Sequence, residues 1–123
     1  MNEAGDVRWT TLPAARALCR LDDIEDGGSA ALEAEIAGQC ESLIAVRRGR
    51  RVFLYRNTCP HQELPLDFTP GQFLDAERTH ILCSNHGALF RIEDGVCVWG
   101  PCLDARLRPI KTRVEGETVI VVE

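Results

Sequence analysis

No stretch of this 123-residue sequence approaches the 18 or so consecutive apolar residues that a membrane span needs. The opening "MNEAGDVRWTT" is acidic and polar, so it does not read as a secretory signal, and the expected location is the cytoplasm. Basic residues are not in excess. The formal net charge of −5 argues against general nucleic-acid binding and leaves basic partner surfaces as docking sites. No G-x-G-x-x-G follows a strand-like run, which excludes a dinucleotide site of the usual kind and with it a self-contained reductase. Internal repeats, low-complexity tracts and interdomain linkers are also lacking, and 1–123 reads as one domain with a modest core. Histidine is scarce, with three in the chain.

What is present is mostly strand. "RALCRL" near the start reads as a strand, and "SLIAVRR" and "RVFLYRN" read as a hairpin about Gly49. "THILC", "ALFRI" and "VCVW" are short strands, with "EDG" at 93–95 as a turn. "LRPIKTRV" and "TVIVVE" form a last hairpin around "EGE". "SAALEAEIAG" stays ambiguous, because its composition favours helix while its Leu32, Ala34, Ile36 alternation permits strand. Residues 1–12 are expected to be loosely held. The stretch from about 57 to 103 differs from the rest, and reads as a loop-rich insertion on a β scaffold.

That insertion holds the chemistry. "NTCPHQELPL" contains Cys59 and His61, and "ILCSNHGALF" contains Cys83 and His86, followed at once by Gly87. Clustered cysteines in a reducing compartment point to metal ligation rather than to a disulfide framework. Common zinc fingers draw both cysteines from one segment and both histidines from another, whereas here the two types alternate. Alternation suits a binuclear site, with the thiolates of Cys59 and Cys83 on an inner iron and the imidazoles of His61 and His86 on an outer one. A mononuclear zinc site on the same four side chains is the alternative, as is a cysteine–histidine nucleophile. Cys19 and Cys40, in apolar contexts, are expected to be buried or half-buried thiols.

With "CPH" at 59–61 and "CSNHG" at 83–87, residues 42–123 resemble a Rieske-type ferredoxin domain. "GPC" at 100–102 is similar to the proline-bearing loop that covers the cluster in that family, and "LCRLDDIEDGGSA" to its first strand and turn. The resemblance implies an all-β fold, an antiparallel β sandwich or barrel with an inserted cluster-binding subdomain at about 57–103. It also implies one [2Fe–2S] cluster per chain held by Cys59, His61, Cys83 and His86. The implied role is one-electron transfer from a donor such as a flavoprotein reductase to an acceptor such as an oxygenase. A Rieske-like small subunit, a redox-sensing module and a zinc-stabilised interaction domain are the other readings. A Rieske oxygenase needs a further mononuclear iron, and only His80 would remain to build it.

Departures from the family pattern carry expectations of their own. Twenty-one residues separate His61 from Cys83, and the extra length in "LDFTPGQFLDAERTH" reads as an enlarged surface loop. Glu63 stands where the family often has glycine. Leu64 and Asn85 stand where high-potential members place a loop-linking pair of cysteines, so the loops rely on the cluster and on Leu64, Leu66, Leu89 and Phe90. The apo form is then expected to have disordered cluster loops. Ala88 and Phe90 replace a serine and a tyrosine whose hydroxyls raise the potential, so a low-potential centre is expected. Cys97 and Cys102 read as apolar thiols lining the pocket, with a bridge across "VWGP" as the alternative. Trp99 reads as a structural cover for this loop or a partner contact.

Overall fold

The structure is a computed structural model describing residues 15–60, 65–67, 71–84, 87–101, 103 and 105–122. Among the described residues, nine strands form three antiparallel sheets of three. They are β1 (Ala15–Arg20), β2 (Ser29–Ile36), β3 (Gln39–Arg48), β4 (Arg51–Arg56), β5 (His80–Leu82), β6 (Leu89–Arg91), β7 (Cys97–Trp99), β8 (Thr112–Glu115) and β9 (Thr118–Val122). The sheet orders are β1-β9-β8, β2-β3-β4 and β5-β6-β7. Among the described residues, helix is confined to a 3-10 turn at Leu21–Asp23, and no helix is long and apolar enough to cross a membrane.

The ambiguous segment is the strand β2. It pairs with β3 in unbroken register from Ser29↔Val46 to Ile36↔Gln39. A two-residue turn joins them, with Ala37 at φ 53° and Gly38 at φ 85°. Positive φ at both central positions is the turn whose twist matches paired strands, and that pairing overrides the helical composition. Ala30, Leu32, Ala34 and Ile36 all face one core, as a period of two requires.

β3 shows why the middle sheet matters. Its residues Leu43, Ile44, Ala45 and Val46 are all buried in succession. Leu43 and Ala45 pack with Ile24, Ile36, Leu54 and Val121, whereas Ile44 and Val46 pack with Tyr55, Cys59, Cys83 and Phe90. The sheet β2-β3-β4 is therefore covered on both faces, by the terminal strands on one and the cysteine-bearing sheet on the other.

Three expectations change on contact with the structure. The run "LRPIKTRV" yields a strand only from Thr112, because Pro109 has no N–H to continue a ladder. Its first half instead lies along β4, with the Arg56 N–H donating to Arg108 O at 2.9 Å, the Ile110 N–H to Leu54 O at 2.8 Å, and a bridge between Tyr55 and Pro109. The described part of the long 62–82 connection, residues 65–67 and 71–82, is not a loop lying on the surface. Phe73 is fully buried in the same core as Cys59 and Cys83, Leu74 bridges to Ile81, and the Ser29 hydroxyl donates to Gly71 O at 2.8 Å and accepts the Phe73 N–H at 3.2 Å. Burial of one such phenyl ring is worth about 1.5–3 kcal/mol, enough to hold a long connection down. Finally, Cys40 is exposed, not buried, because it sits at the outer end of β3 beside the Gly38 turn, while Cys19 is half-buried. The expectation for residues 1–12 lies outside the described residues.

Candidate metal centre

The first loop leaves β4 under tight control. The Asn57 N–H donates to Ser42 O at 2.9 Å, so the chain is still tied to β3 one residue past the strand. Thr58, Cys59 and Pro60 follow, and Cys59 is fully buried. Asn57 is itself buried and uses both ends of its amide. Its Oδ1 accepts the Leu66 N–H at 2.8 Å, and its Nδ2 donates to Asp67 Oδ1 at 3.0 Å and to Ser42 Oγ at 3.3 Å. Asp67 Oδ2 in turn accepts the Gly71 N–H at 3.0 Å.

The second loop joins β5 to β6. The Cys83 N–H donates to Ala88 O at 2.9 Å and the Gly87 N–H to Cys83 O at 2.8 Å, which closes a narrow loop with Cys83 at its base, also fully buried. The Ser84 N–H donates to Leu66 O at 2.9 Å. Leu66 thus binds the Asn57 side chain through its N–H and the Ser84 backbone through its carbonyl, and couples the two cysteine loops. This coupling is what the missing pair of loop cysteines leaves to other groups. The expected apolar support is present in Leu66 and Phe90, both fully buried, and in half-buried Leu89.

A third loop caps the second. Gly100 has φ 110°, and a Cβ there would lie 2.8 Å from Ala88 Cα. Only glycine lets the backbone lie this close in that conformation. Trp99 is 61% exposed, yet the edge of its indole lies 3.6 Å from where a Gly87 Cβ would be. It covers the second loop and still offers a face to solvent. Gly100→Ala is expected to lift the third loop, at about 1–3 kcal/mol for the backbone alone. The checks are a lower unfolding midpoint and faster loss of iron to a chelator.

Of the four candidate ligands, the structure brings Cys59 and Cys83 into one buried core together with Cys97. His61 and His86 lie outside the described residues, as do Glu63, Leu64, Asn85 and Cys102, and with Cys102 the alternative bridge. Cys97 is the expected apolar thiol, and its Sγ donates to Trp99 O at 3.3 Å. Two fully buried thiols, on separate loops that are fastened to each other, fit an iron–sulfur cluster. Soft sulfur donors shielded from water are what such a cluster requires. His80 is an ordinary strand side chain. It is paired opposite Arg91, with Nδ1 3.0 Å from Thr79 Oγ1 and 3.7 Å from Asp75 Oδ2.

The surrounding polar groups are structural. Burial works to raise the Asp75 carboxyl. The Thr79 and His80 amides, the Thr79 hydroxyl and the nearby His80 outweigh it and hold the pKa below the usual value. Tyr55 is raised to about 12, by burial first and then by Asp94 and Glu93. It stays neutral, and its O–H donates a hydrogen bond to Ile92 O at 2.6 Å. Sequence reading missed Asn57, Leu66 as a coupler, and Gly100. The signals were slight: one amide side chain at the end of an apolar strand, and one glycine before a proline.

A description of the Rieske [2Fe-2S] domain matches residues 15–121, beginning well before the stretch that carries the motifs. No curated protein matches. Among solved structures, the chain is similar to the ferredoxin of carbazole 1,9a-dioxygenase from Nocardioides aromaticivorans IC177. The two share 26% identity at TM-score 0.68, over 89% of this chain and 96% of the other. A ferredoxin from Sphingomonas yanoikuyae B1 aligns at 23% identity and TM-score 0.68, over 89% of this chain and 99% of that one. A chain from a complex of reduced oxygenase and oxidized ferredoxin in carbazole 1,9a-dioxygenase aligns at 21% identity and TM-score 0.67, over 88% and 92%. The chain belongs to the Rieske [2Fe–2S] domain family, and its cofactor is a [2Fe–2S] cluster.

Proposed function

We propose that the protein is a Rieske-type ferredoxin, a one-electron carrier with no catalytic site of its own. Cys59 and Cys83 would hold the inner iron as thiolates, and His61 and His86 the outer iron through their imidazoles. The observation that carries this reading is the pair of fully buried thiols on two loops coupled through Leu66. A [2Fe–2S] cluster so ligated supplies reversible one-electron chemistry. The work of the chain's own residues is to keep water from the thiols, through Leu66, Phe73, Ile81, Ala88 and Phe90, all fully buried.

The same residues set the potential. A hydroxyl near the sulfurs donates to the more negative, reduced state and raises the potential, and neither Ala88 nor Phe90 has one. The midpoint is expected in the lower part of the family range of about −150 to +300 mV, and a value above about +150 mV would overturn this. The double variant Ala88→Ser/Phe90→Tyr is expected to raise it. If each donor strengthens by about 1 kcal/mol on reduction, the rise is about 80 mV by the one-electron conversion. Protein-film voltammetry reads it directly.

An oxygenase acceptor is supported by the ferredoxins this chain resembles, one of which was solved in complex with its oxygenase. A flavoprotein reductase as donor, and a reducing cytoplasm as location, complete the proposal. Metal analysis with electron paramagnetic resonance of the dithionite-reduced protein tests it. The expected result is two irons per chain and an average g-value below that of all-cysteine clusters. A colourless protein with one zinc would overturn it.

A further inference from the structure

Beside the first cysteine loop lies a cleft of about 350 Å³ lined by Glu41, Arg56, Thr58, Pro60, Arg106 and Arg108. Thr58 and Pro60 flank Cys59 in sequence, so the cleft abuts the loop of a proposed iron ligand. Its charge runs against that of the chain. Three guanidinium groups meet one carboxylate, an excess of two positive charges in a protein of net charge −5. Glu41 is taken up by Arg56 at 3.4 Å. Elsewhere Arg47, Arg48, Arg50, Arg78, Arg91 and Arg113 each face a carboxylate within 4.0 Å.

The arginines stand on a firm base. Leu107 is fully buried, and its N–H donates to Gly95 O at 2.9 Å. Arg106 and Arg108, on either side of it, are both exposed, as alternation along an extended segment requires. Arg106 is bridged to Val96, and Arg108 O accepts the Arg56 N–H at 2.9 Å. Arg56 and Arg108 are therefore adjacent by backbone pairing, and the Arg106 guanidinium is placed by its bond to Asp94 O at 3.2 Å.

We propose that this cleft is a docking site for surface carboxylates of an acidic redox partner, which it draws to the edge of the first cysteine loop. Guanidinium groups match carboxylates as paired donors to paired acceptors. A local positive field within a negative chain steers and orients an acidic protein that the net charge alone would repel. The inference rests on the electron-carrier reading and names the chemistry of one partner.

The test uses the holoprotein, after its visible bands and g-values have been recorded. Dithionite-reduced protein is oxidised by ferricyanide in a stopped-flow instrument as salt is raised from about 20 to about 200 mM. The wild-type rate constant is expected to fall by about tenfold, as for opposite charges, despite the net charge. In Arg106→Glu/Arg108→Glu the rate is expected to rise with salt instead. Hexaglutamate, titrated calorimetrically into the oxidised holoprotein, is expected to bind the wild type and not the variant. A wild-type rate that rises with salt, or equal hexaglutamate binding by both proteins, overturns the docking site while the spectra leave the carrier reading standing. A preparation without the cluster's bands overturns the carrier reading itself.

Discussion

Cys83→Ser protein is expected to purify colourless, with iron reduced at least tenfold, while Cys97→Ser protein keeps its colour. Losing an outer-shell partner already costs about 10–100-fold in metal affinity, and losing a ligand costs more. Serine is a poor substitute because its hydroxyl does not ionise near neutral pH and its oxygen is a harder donor than the sulfur that iron–sulfur clusters select. Cys97 makes the comparison sharp. It is buried in the same core as Cys59 and Cys83, but its Sγ donates to the Trp99 carbonyl at 3.3 Å, a bond a serine can also make. If burial near the site were all that mattered, the two variants would behave alike. Retention of iron in both would remove Cys83 from the ligand set, and equal loss in both would overturn the distinction between Cys83 and Cys97. Cys59→Ser is expected to match Cys83→Ser.

The second large effect falls on a residue that binds no metal. Asn57→Leu is expected to destabilise the protein by about 2–5 kcal/mol and to make its iron labile. Leucine has the same branched arrangement of side-chain heavy atoms and is larger, so no cavity forms. The Leu66 N–H, however, loses its acceptor at 2.8 Å, and Asp67 Oδ1 loses its donor at 3.0 Å. A buried polar group left unpaired costs about 1–3 kcal/mol, which applies in full to the Leu66 N–H and in part to half-buried Asp67. The consequence reaches the second loop because Leu66 O is the acceptor for the Ser84 N–H. Asn57→Asp is expected to fall between the two, since it keeps an acceptor for Leu66 but sets a second carboxylate against Asp67. Urea unfolding with iron release to a chelator reads both quantities. Asn57→Leu protein with a wild-type midpoint and wild-type iron retention would show that the loops are held together some other way.

The two cysteines proposed as ligands and the strands around them differ in how they were read. The hairpins about Gly49, at 93–95 and at 115–117 were legible because alternation and turn residues act over a few positions. The Cys-x-His and Cys-x2-His pairs were legible for a related reason: ligand chemistry depends on residue type, and close spacing puts both groups on one loop. β2 was undecided because eight residues of mixed composition satisfy either period until β3 lies beside them. Pro109 was present in the sequence, but its effect on the last hairpin needed the neighbouring β4.

By itself, then, the amino-acid order determined a β domain of the Rieske family and the residues proposed to hold its iron. Both are written in short, local patterns whose physics does not depend on distant neighbours. Only the tertiary structure decided that Ser29 clasps the connection carrying Gly71 and Phe73, that Asn57 and Leu66 fasten the two loops, and that Arg56 lies against Arg108. Ser29 and Gly71 are 42 positions apart, and no propensity or spacing rule reaches that far. Such contacts arise when sheets covered on both faces bring remote backbone into hydrogen-bonding distance, and that is a property of the packing.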